Sequence, residues 1–450
     1  MKNWIGLLLS GLLLAACASL SPGREPAPVA WMQFGLGDQP ELIARALIGR
    51  GDDCPSIAVD GQVSSMAERP SPRAAIFGRV CERRLTLESS RRIRITARNT
   101  VLLDQEISRN PQRVAVFGDT GCRITNYVDQ GCNDPAKWPF AQVAASVVAK
   151  NPDLVLHVGD YYYREAPCVR TSTDCVPSPY GDREETWRVE FFTPAAALLA
   201  KAPWVFVRGN HEDCARGGYG WTYYFGDTDQ ACQIVHTPAR IDLAGLTLLN
   251  VDSAHTDDKF ARAEINAYWN DLAQKLREAP LPGASPLFIL THEPGYAVCP
   301  GGCKAEESAD TGGLRTIADA VRGAGRRTIL LTGHIHTFEA VDVAPVTLGG
   351  GRGVTQMIVG TGGSSLDKFG GTDAAKQIVS TYEDVRFEKV GSDKWQPVRK
   401  GRVSLRAQMW NRFGFGMLSP GALELVMYDA EGARQFACGL AEERTVERCR

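Results

Sequence analysis

The sequence has almost no net charge. Its 50 Lys and Arg oppose 52 Asp and Glu, a balance of −2 with a pI near 6.4. That argues against a surface built to bind nucleic acid. The amino-terminal apolar run, Trp4 to Leu14, is too short for a spanning helix, which needs about 20 residues. No C-x-x-C pair suggests a structural zinc, although there are 13 cysteines. Neither an internal repeat nor a heptad pattern appears, which removes solenoids and coiled coils. Basic clusters at Arg91-Arg92-Ile93-Arg94 and Lys394 to Arg402 do not change the charge argument. The first alternates with Ile93, Ile95 and Ala97 and reads as a half-buried strand with a solvated face.

The amino terminus and the cysteines point to export. Met1-Lys2, a short apolar stretch and Leu14-Ala15-Ala16-Cys17 form a secretory signal with small residues at the cleavage point. The tetrapeptide resembles the bacterial lipobox. That resemblance implies a lipid on Cys17, attachment to a membrane through it, and a place on the periplasmic face of the envelope, with the outer membrane favoured. Ordinary cleavage at Ala16-Cys17-Ala18 is the rival reading. Setting Cys17 aside leaves 12 cysteines in near-neighbour pairs: Cys54/Cys81, Cys122/Cys132, Cys168/Cys175, Cys214/Cys232, Cys299/Cys303 and Cys438/Cys449. Such density suits disulfides formed in an oxidising compartment.

Five short blocks carry the chemistry: Asp119-Thr120-Gly121, Gly159-Asp160-Tyr161-Tyr162-Tyr163, Gly209-Asn210-His211-Glu212, Ile289-Leu290-Thr291-His292 and Gly333-His334-Ile335-His336. Each follows a short apolar run: 114–117, 154–156, 204–207, 287–290 and 328–331. These runs are too brief for helices and apolar on both faces, as buried strands are. Helical patterns fall between them at 140–150, 184–201, 260–278 and 314–322. The alternation predicts an α/β fold whose site gathers beyond the carboxyl ends of the strands. The blocks together supply oxygen and imidazole ligands for two adjacent metal ions, which suit an in-line displacement at phosphorus.

Block order, residue type and spacing resemble the calcineurin-like metallophosphoesterases, with the purple acid phosphatase pattern nearest, over roughly residues 112–365. The resemblance implies two packed β-sheets flanked by helices, in four α/β/β/α layers. It implies that Asp119, Tyr163 and His336 hold one ion, that Asn210, His292 and His334 hold the other, and that Asp160 bridges both. His211 would contact phosphate or help protonate the leaving group. A tyrosine at position 163 implies Fe(III) with a divalent partner, Fe, Zn or Mn, since a hard phenolate suits a ferric ion. The reaction implied is hydrolysis of a phosphorylated small molecule, a phosphomonoester first, with water attacking in line. A phosphodiesterase or nucleotidase on the same site, and a non-catalytic envelope lipoprotein, are the alternatives. One departure stands out. The extra histidines that follow the fourth block in plant enzymes are absent from Glu293-Pro294-Gly295-Tyr296-Ala297-Val298-Cys299; His255 is a candidate substitute, although a satisfied surface or core histidine is the commoner reading of a lone His.

Organisation follows. Residues 1–17 read as the signal, 18–28 as a Ser/Pro-rich tether, 29–110 as a small β-rich domain and 111–450 as the catalytic domain, with the tail 376–450 completing the second sheet. The stretch Tyr219 to Phe225 is rich in aromatics and would either wall the pocket or pack inward.

Overall fold

The computed structural model describes residues 26–36, 41–70, 73–86, 91–169, 173–227, 231–255, 262–278, 286–297, 327–343, 354–367, 376–390, 394–441 and 448–450. The five apolar runs form strands at Val114–Phe117, Leu154–His157, Trp204–Phe206, Leu287–Leu290 and Thr328–Thr332. Three helical patterns form helices: Phe140–Ala149, the stretch from Glu184 to Leu199, and Arg262–Glu278. The pattern at 314–322 lies outside the described residues.

Alternation along the central strands dictates the layers. Val114, Val116, Leu154, Leu156 and Val205 face one way, into a core shared with Leu248, Phe288, Leu290, Ile329 and Leu331 of the other sheet. Ala115, Phe117, Val155, Trp204 and Phe206 face the other way, against Val143, Val147, Phe191 and Leu198 of the covering helices. On the far side Leu249, Leu287, Ile289 and Leu330 pack on Ile265, Trp269 and Ala273 of the Arg262–Glu278 helix. The result is a helix, sheet, sheet, helix sandwich. Strands buried on both faces explain why these runs lack polar alternation.

The first sheet has ten strands. Its middle is parallel: Val114–Phe117, Leu154–His157, Trp204–Phe206 and Val29–Phe34 lie side by side. The second has eight, with Leu246–Asn250, Leu287–Leu290, Thr328–Thr332 and Val354–Val359 parallel at its centre. The blocks therefore leave both sheets at carboxyl ends, three from the first and two from the second.

Residues 29–110 divide between two places. A separate four-stranded sheet is built from Ser56–Val59, Gln62–Ser65, Arg91–Ala97 and Thr100–Ile107. Val29–Phe34, Glu41–Ile48 and Arg79–Thr86 instead extend the ten-stranded sheet, where Gln33 aligns with Trp204. The tail divides too. Lys376–Val390 and Lys394–Trp410 form a long hairpin on the second sheet, while Gly414–Ser419, Glu424–Asp429 and Arg434–Gly439 complete the first. Sequence distance hid both divisions, because only pairing partners decide which sheet a strand joins. On the Arg91–Ala97 strand, Ile93 and Ile95 are buried while Arg92 and Arg94 reach across to Asp104, the alternation expected there.

Five of the six cysteine pairs are disulfides: Cys54–Cys81, Cys122–Cys132, Cys168–Cys175, Cys214–Cys232 and Cys438–Cys449. Cys299 and Cys303 lie outside the described residues, as does Cys17 with the whole signal region. The bridges suggest an oxidising, extracytoplasmic setting.

Candidate metal centre

Three of the candidate ligands, Asp119, Asp160 and His334, hold left-handed backbone with φ of 57°, 61° and 71°. Such conformations cost non-glycine residues of order 1–3 kcal/mol each and persist where surrounding structure over-determines them. Glycines in the blocks make room. A Cβ on Gly159 would overlap the His292 ring, and one on Gly209 would overlap the Asp160 carboxylate. The G-D and G-N pairs of the blocks are thus a packing requirement of the site.

The convergence is tight. Tyr163 Oη donates to Asp160 Oδ2 at 2.5 Å and lies 3.3 Å from Asp119 Oδ1 and 2.7 Å from His336 Nε2. Across Asp160, His292 Nε2 is 3.1 Å from Asp160 Oδ2 and 3.0 Å from Asn210 Oδ1, which is itself 3.2 Å from His334 Nδ1. Two ligand groups emerge, Asp119, Asp160 and His336 in one, Asp160, His292 and His334 in the other, with donor atoms inside each within 4.8 Å. Asp160 belongs to both. A cation with bonds of about 2.1 Å separates adjacent ligands by roughly 3 Å, which is the spacing of these donors.

The seven sequence-predicted ligand residues are therefore together. The two-apart histidines separate because the loop turns: Ile335 N–H donates to Gly333 O and Thr337 N–H to Ile335 O, and Ile335 is buried. Each imidazole then joins a different group.

Electrostatics call for positive charge here. Asp119 and Asp160 are buried, and their ion-pair partners are imidazoles, His336 at 3.4 Å and His292 at 3.1 Å, with no lysine or arginine among the described residues. Burying paired carboxylates without a cation is costly. Burial would raise the Asp160 carboxyl, but His292 and His211 outweigh it and hold it well below the ordinary value. Burial would lower the His292 imidazole, yet Asp160 pulls it up to about 10. Burial also drives the Tyr163 hydroxyl well above its ordinary value, and Asp160 and Asp119 push the same way. Protons on His292 and Tyr163 thus stand where cations would, and metal binding would release them.

The imidazoles are fixed from behind. His292 Nδ1 donates to Val158 O at 2.8 Å and His336 Nδ1 to Ser365 O at 2.7 Å, so both present Nε2 to the site. This backing sets tautomer and ring orientation in metal-binding histidines.

His211 sits at the edge. Its ring packs on Tyr163 with centroids 3.9 Å apart, its N–H donates to Asp160 Oδ1 at 3.0 Å, and its Nδ1 donates to Glu165 Oε1 at 2.7 Å. Glu165 was missed by sequence reasoning, as were two buried carboxylates. Glu212 accepts backbone N–H groups from Gly209, Asp160, Tyr161 and Tyr162 at 2.8–3.1 Å. Glu190 accepts from Cys122 and Tyr163 at 2.5 and 3.1 Å and pairs with Arg164 at 2.5 Å. It is carried inward on a π-helical turn, Arg188–Phe192, a feature common at functional sites. Burial raises Glu212 to about 8, with Asp160 adding, and raises Glu190 to about 7 against the pull of Arg164. Glu212 lay in view within its block, but nothing local marks an anchor as distinct from a ligand.

Other histidines have other duties. His255 is not a replacement acid in this arrangement: its Nε2 accepts the Cys214 N–H at 3.3 Å beside the Cys214–Cys232 bridge and belongs to neither ligand group. His157 is buried, bonded to Thr120 Oγ1 at 2.9 Å and stacked on Tyr161. The aromatic stretch packs inward: Trp221, Tyr223, Tyr224 and Phe225 join the helix-side core, and the Tyr224 hydroxyl donates to Phe77 O at 2.7 Å.

Comparison with known proteins agrees with this geometry. The family described as calcineurin-like phosphoesterase is matched over residues 112–338. The chain belongs to that family. No curated protein matches it. Among solved structures this family member is similar to purple acid phosphatase PPD1 from yellow lupin (Lupinus luteus) seeds, at 13% identity and a TM-score of 0.55, covering 94% of this chain and 77% of that one. It is also similar to PhoD, at 11% identity and a TM-score of 0.53, covering 92% and 90%. At these identities the likeness is one of fold. Family, fold and ligand clusters together support a metal-dependent phosphoesterase.

Proposed function

We propose that this protein is a two-metal phosphomonoesterase of the purple acid phosphatase type, acting on a phosphorylated small molecule outside the cytoplasm. The observation that carries the reading is the shared carboxylate: two compact ligand groups meet at Asp160. Asp119, Tyr163 and His336 would hold one ion, and Asn210, His292 and His334 the other. The ions would neutralise phosphoryl oxygens and acidify bound water. Tyr163 supports Fe(III) with a divalent partner, because a phenol raised by burial and two carboxylates ionises only beside a strong Lewis acid.

The protein's own groups supply the rest. Glu165 accepts the Nδ1 proton of His211 and supports a doubly protonated ring, whose Nε2–H then holds a phosphoryl oxygen or passes to the departing alkoxide. Glu212 and Glu190 hold the loops that aim Asp160 and Tyr163. Neither a serine nor a cysteine nucleophile is required, so a single displacement with inversion at phosphorus is expected.

We also propose that Cys17 is lipidated and tethers the enzyme at the periplasmic face of the envelope, with the outer membrane favoured. The disulfides support the compartment, and mass spectrometry of the protein from its own envelope tests the anchor: an acylated Cys17 is expected, and cleavage after Ala18 without acyl mass refutes it. The enzymatic reading is tested by assaying phosphomonoester hydrolysis together with the visible spectrum. Turnover with a phenolate-to-iron absorption band is expected. A colourless protein fully active with manganese or zinc keeps the phosphoesterase and removes the ferric assignment. Absence of hydrolysis in metal-loaded protein removes both.

A further inference from the structure

Among the described residues eight large apolar side chains are well exposed, and five of them, Tyr127, Val128, Val169, Val176 and Tyr180, lie in or beside two adjoining disulfide loops. Exposed apolar side chains scattered singly need no explanation, but a concentration beside a site does. Tyr127 is 93% exposed, at the turn where Thr125 N–H donates to Val128 O at 2.9 Å.

Both loops are fastened to the site. In the Cys122–Cys132 loop, Ile124 N–H donates to Tyr163 O at 3.0 Å, and Glu165 N–H donates back to Ile124 O at 3.1 Å. Gln130 Oε1 accepts the N–H of Ser365, the residue whose carbonyl orients His336, at 3.0 Å. Past the end of the Cys168–Cys175 loop, Gly181 N–H donates to Arg164 O at 2.9 Å, placing Tyr180 beside the same segment. The loops are joined to each other by Asn133 N–H to Asp174 O at 2.6 Å and by Lys137 to Asp174 at 2.5 Å. Tyr127 is three residues from the Ile124 contact, a reach of at most about 10 Å of extended chain.

We propose that this rim determines substrate choice, with the rings of Tyr127 and Tyr180 receiving an aromatic leaving group while the phosphoryl group occupies the metal centre. The inference rests on the phosphoesterase reading and deepens it. Its logic is continuity: the segment 163–165 carries a candidate ligand and the residue that orients His211, and an exposed tyrosine is fastened to each side of it. Covalent closure of the Cys122–Cys132 loop holds Tyr127, and the Gly181–Arg164 hydrogen bond with the Arg183 guanidinium over its ring holds Tyr180, neither ring being buried, so little ordering is left for the substrate to bring about. Rings of this kind offer an apolar face with a polar edge and suit a flat partner. The Tyr219 to Phe225 aromatics do not serve here, because they are committed to the core.

The test compares benzyl phosphate with ethyl phosphate, whose alcohol leaving groups are similar in intrinsic reactivity, in the full-length protein and in Tyr127→Ser, Tyr180→Ser and Tyr127→Phe. The wild type should prefer the benzyl ester about tenfold in kcat/KM, chiefly through KM, as one good stacking contact provides. The serine variants should lose most of that preference, and Tyr127→Phe should keep it. Calorimetric binding of benzylphosphonate against ethylphosphonate reads the same preference without turnover. Failure of all hydrolysis alongside an intact phosphonate preference would therefore overturn the phosphoesterase reading and sustain the rim. An equal preference for the two phosphonates, or serine variants that retain the discrimination, overturns the rim. Serine variants that lose binding to phosphatidylcholine vesicles while keeping the discrimination also overturn it, by assigning the patch to a membrane surface.

Discussion

The two sheets hold their shares of the site by different means. Blocks from the ten-stranded sheet are anchored by buried carboxylates, Glu212 beneath Asp160 to Tyr162 and Glu190 beneath Tyr163. Blocks from the eight-stranded sheet have their imidazoles oriented by backbone carbonyls, Val158 O behind His292 and Ser365 O behind His336, while the half-buried Asp367 accepts only the His336 N–H, at 2.9 Å. A carbonyl orients an imidazole without adding charge. A buried carboxylate gathers several N–H groups at once, but carries desolvation cost and repulsion from Asp160, visible in the raised value of about 8 for Glu212. Substitution of one side chain can therefore release several N–H groups in the first half, whereas the carbonyls that orient the imidazoles of the second cannot be removed that way.

The largest effect should come at the junction of the two halves. Asp160→Ala removes the carboxylate common to both ligand groups and should abolish hydrolysis; a steady-state assay with metal in excess checks this. His211→Ala should keep its metal and cost about 10²–10⁴-fold in kcat, the usual worth of a positioned acid or base, measured beside metal content to separate chemistry from ligation. Glu212→Gln replaces an acceptor of four N–H groups with an amide that also brings donors. It should cost about 10–100-fold in activity or metal affinity, as such supporting groups do. A neutral result in matched kinetics would show that the carboxylate anchor is dispensable.

The smallest effect lies at the seam between the sheets, where Arg208 reaches Asp252 at 3.2 Å and the His236 N–H donates to Asp252 at 2.9 Å. Burial lowers the His236 imidazole to about 4 from 6.5, although Asp252 opposes this. The unfolded chain then binds a proton that the folded chain refuses as pH falls below about 6.5, so this contribution is present above that value and is lost on descent towards 4. Between pH 7 and 5.5 the loss should be about 1 kcal/mol, read as a shift in denaturation midpoint that His236→Gln reduces.

Much of this was legible in the sequence, for a physical reason. Metal ligation constrains residue type at each position, and strands buried on both faces write themselves as unbroken apolar runs, so the five strands and the seven candidate ligand residues that the fold brings together were readable from local pattern. The supporting groups were not. Glu190 lies 27 residues from the Tyr163 N–H it accepts, and nothing near Glu190 records that contact. Glu165 resembled any loop acid. Residues 29–34 joined the large sheet through pairing with 204–206, a long-range choice that no short window reveals. A lone histidine after a strand reads alike whether it faces substrate or a disulfide; His255 is the commoner kind, a buried histidine satisfied beside a bridge.

The central claim is that Asp160 belongs to two metal groups at once, and metal stoichiometry tests it most directly. Elemental analysis of the purified wild type, Tyr163→Phe, His334→Ala and Asp160→Ala should give two ions per chain for the wild type, retention of one in each of the two single-group variants, and loss of both when Asp160 is replaced. A wild type that saturates at one ion, or an Asp160→Ala variant that keeps two, would contradict the account.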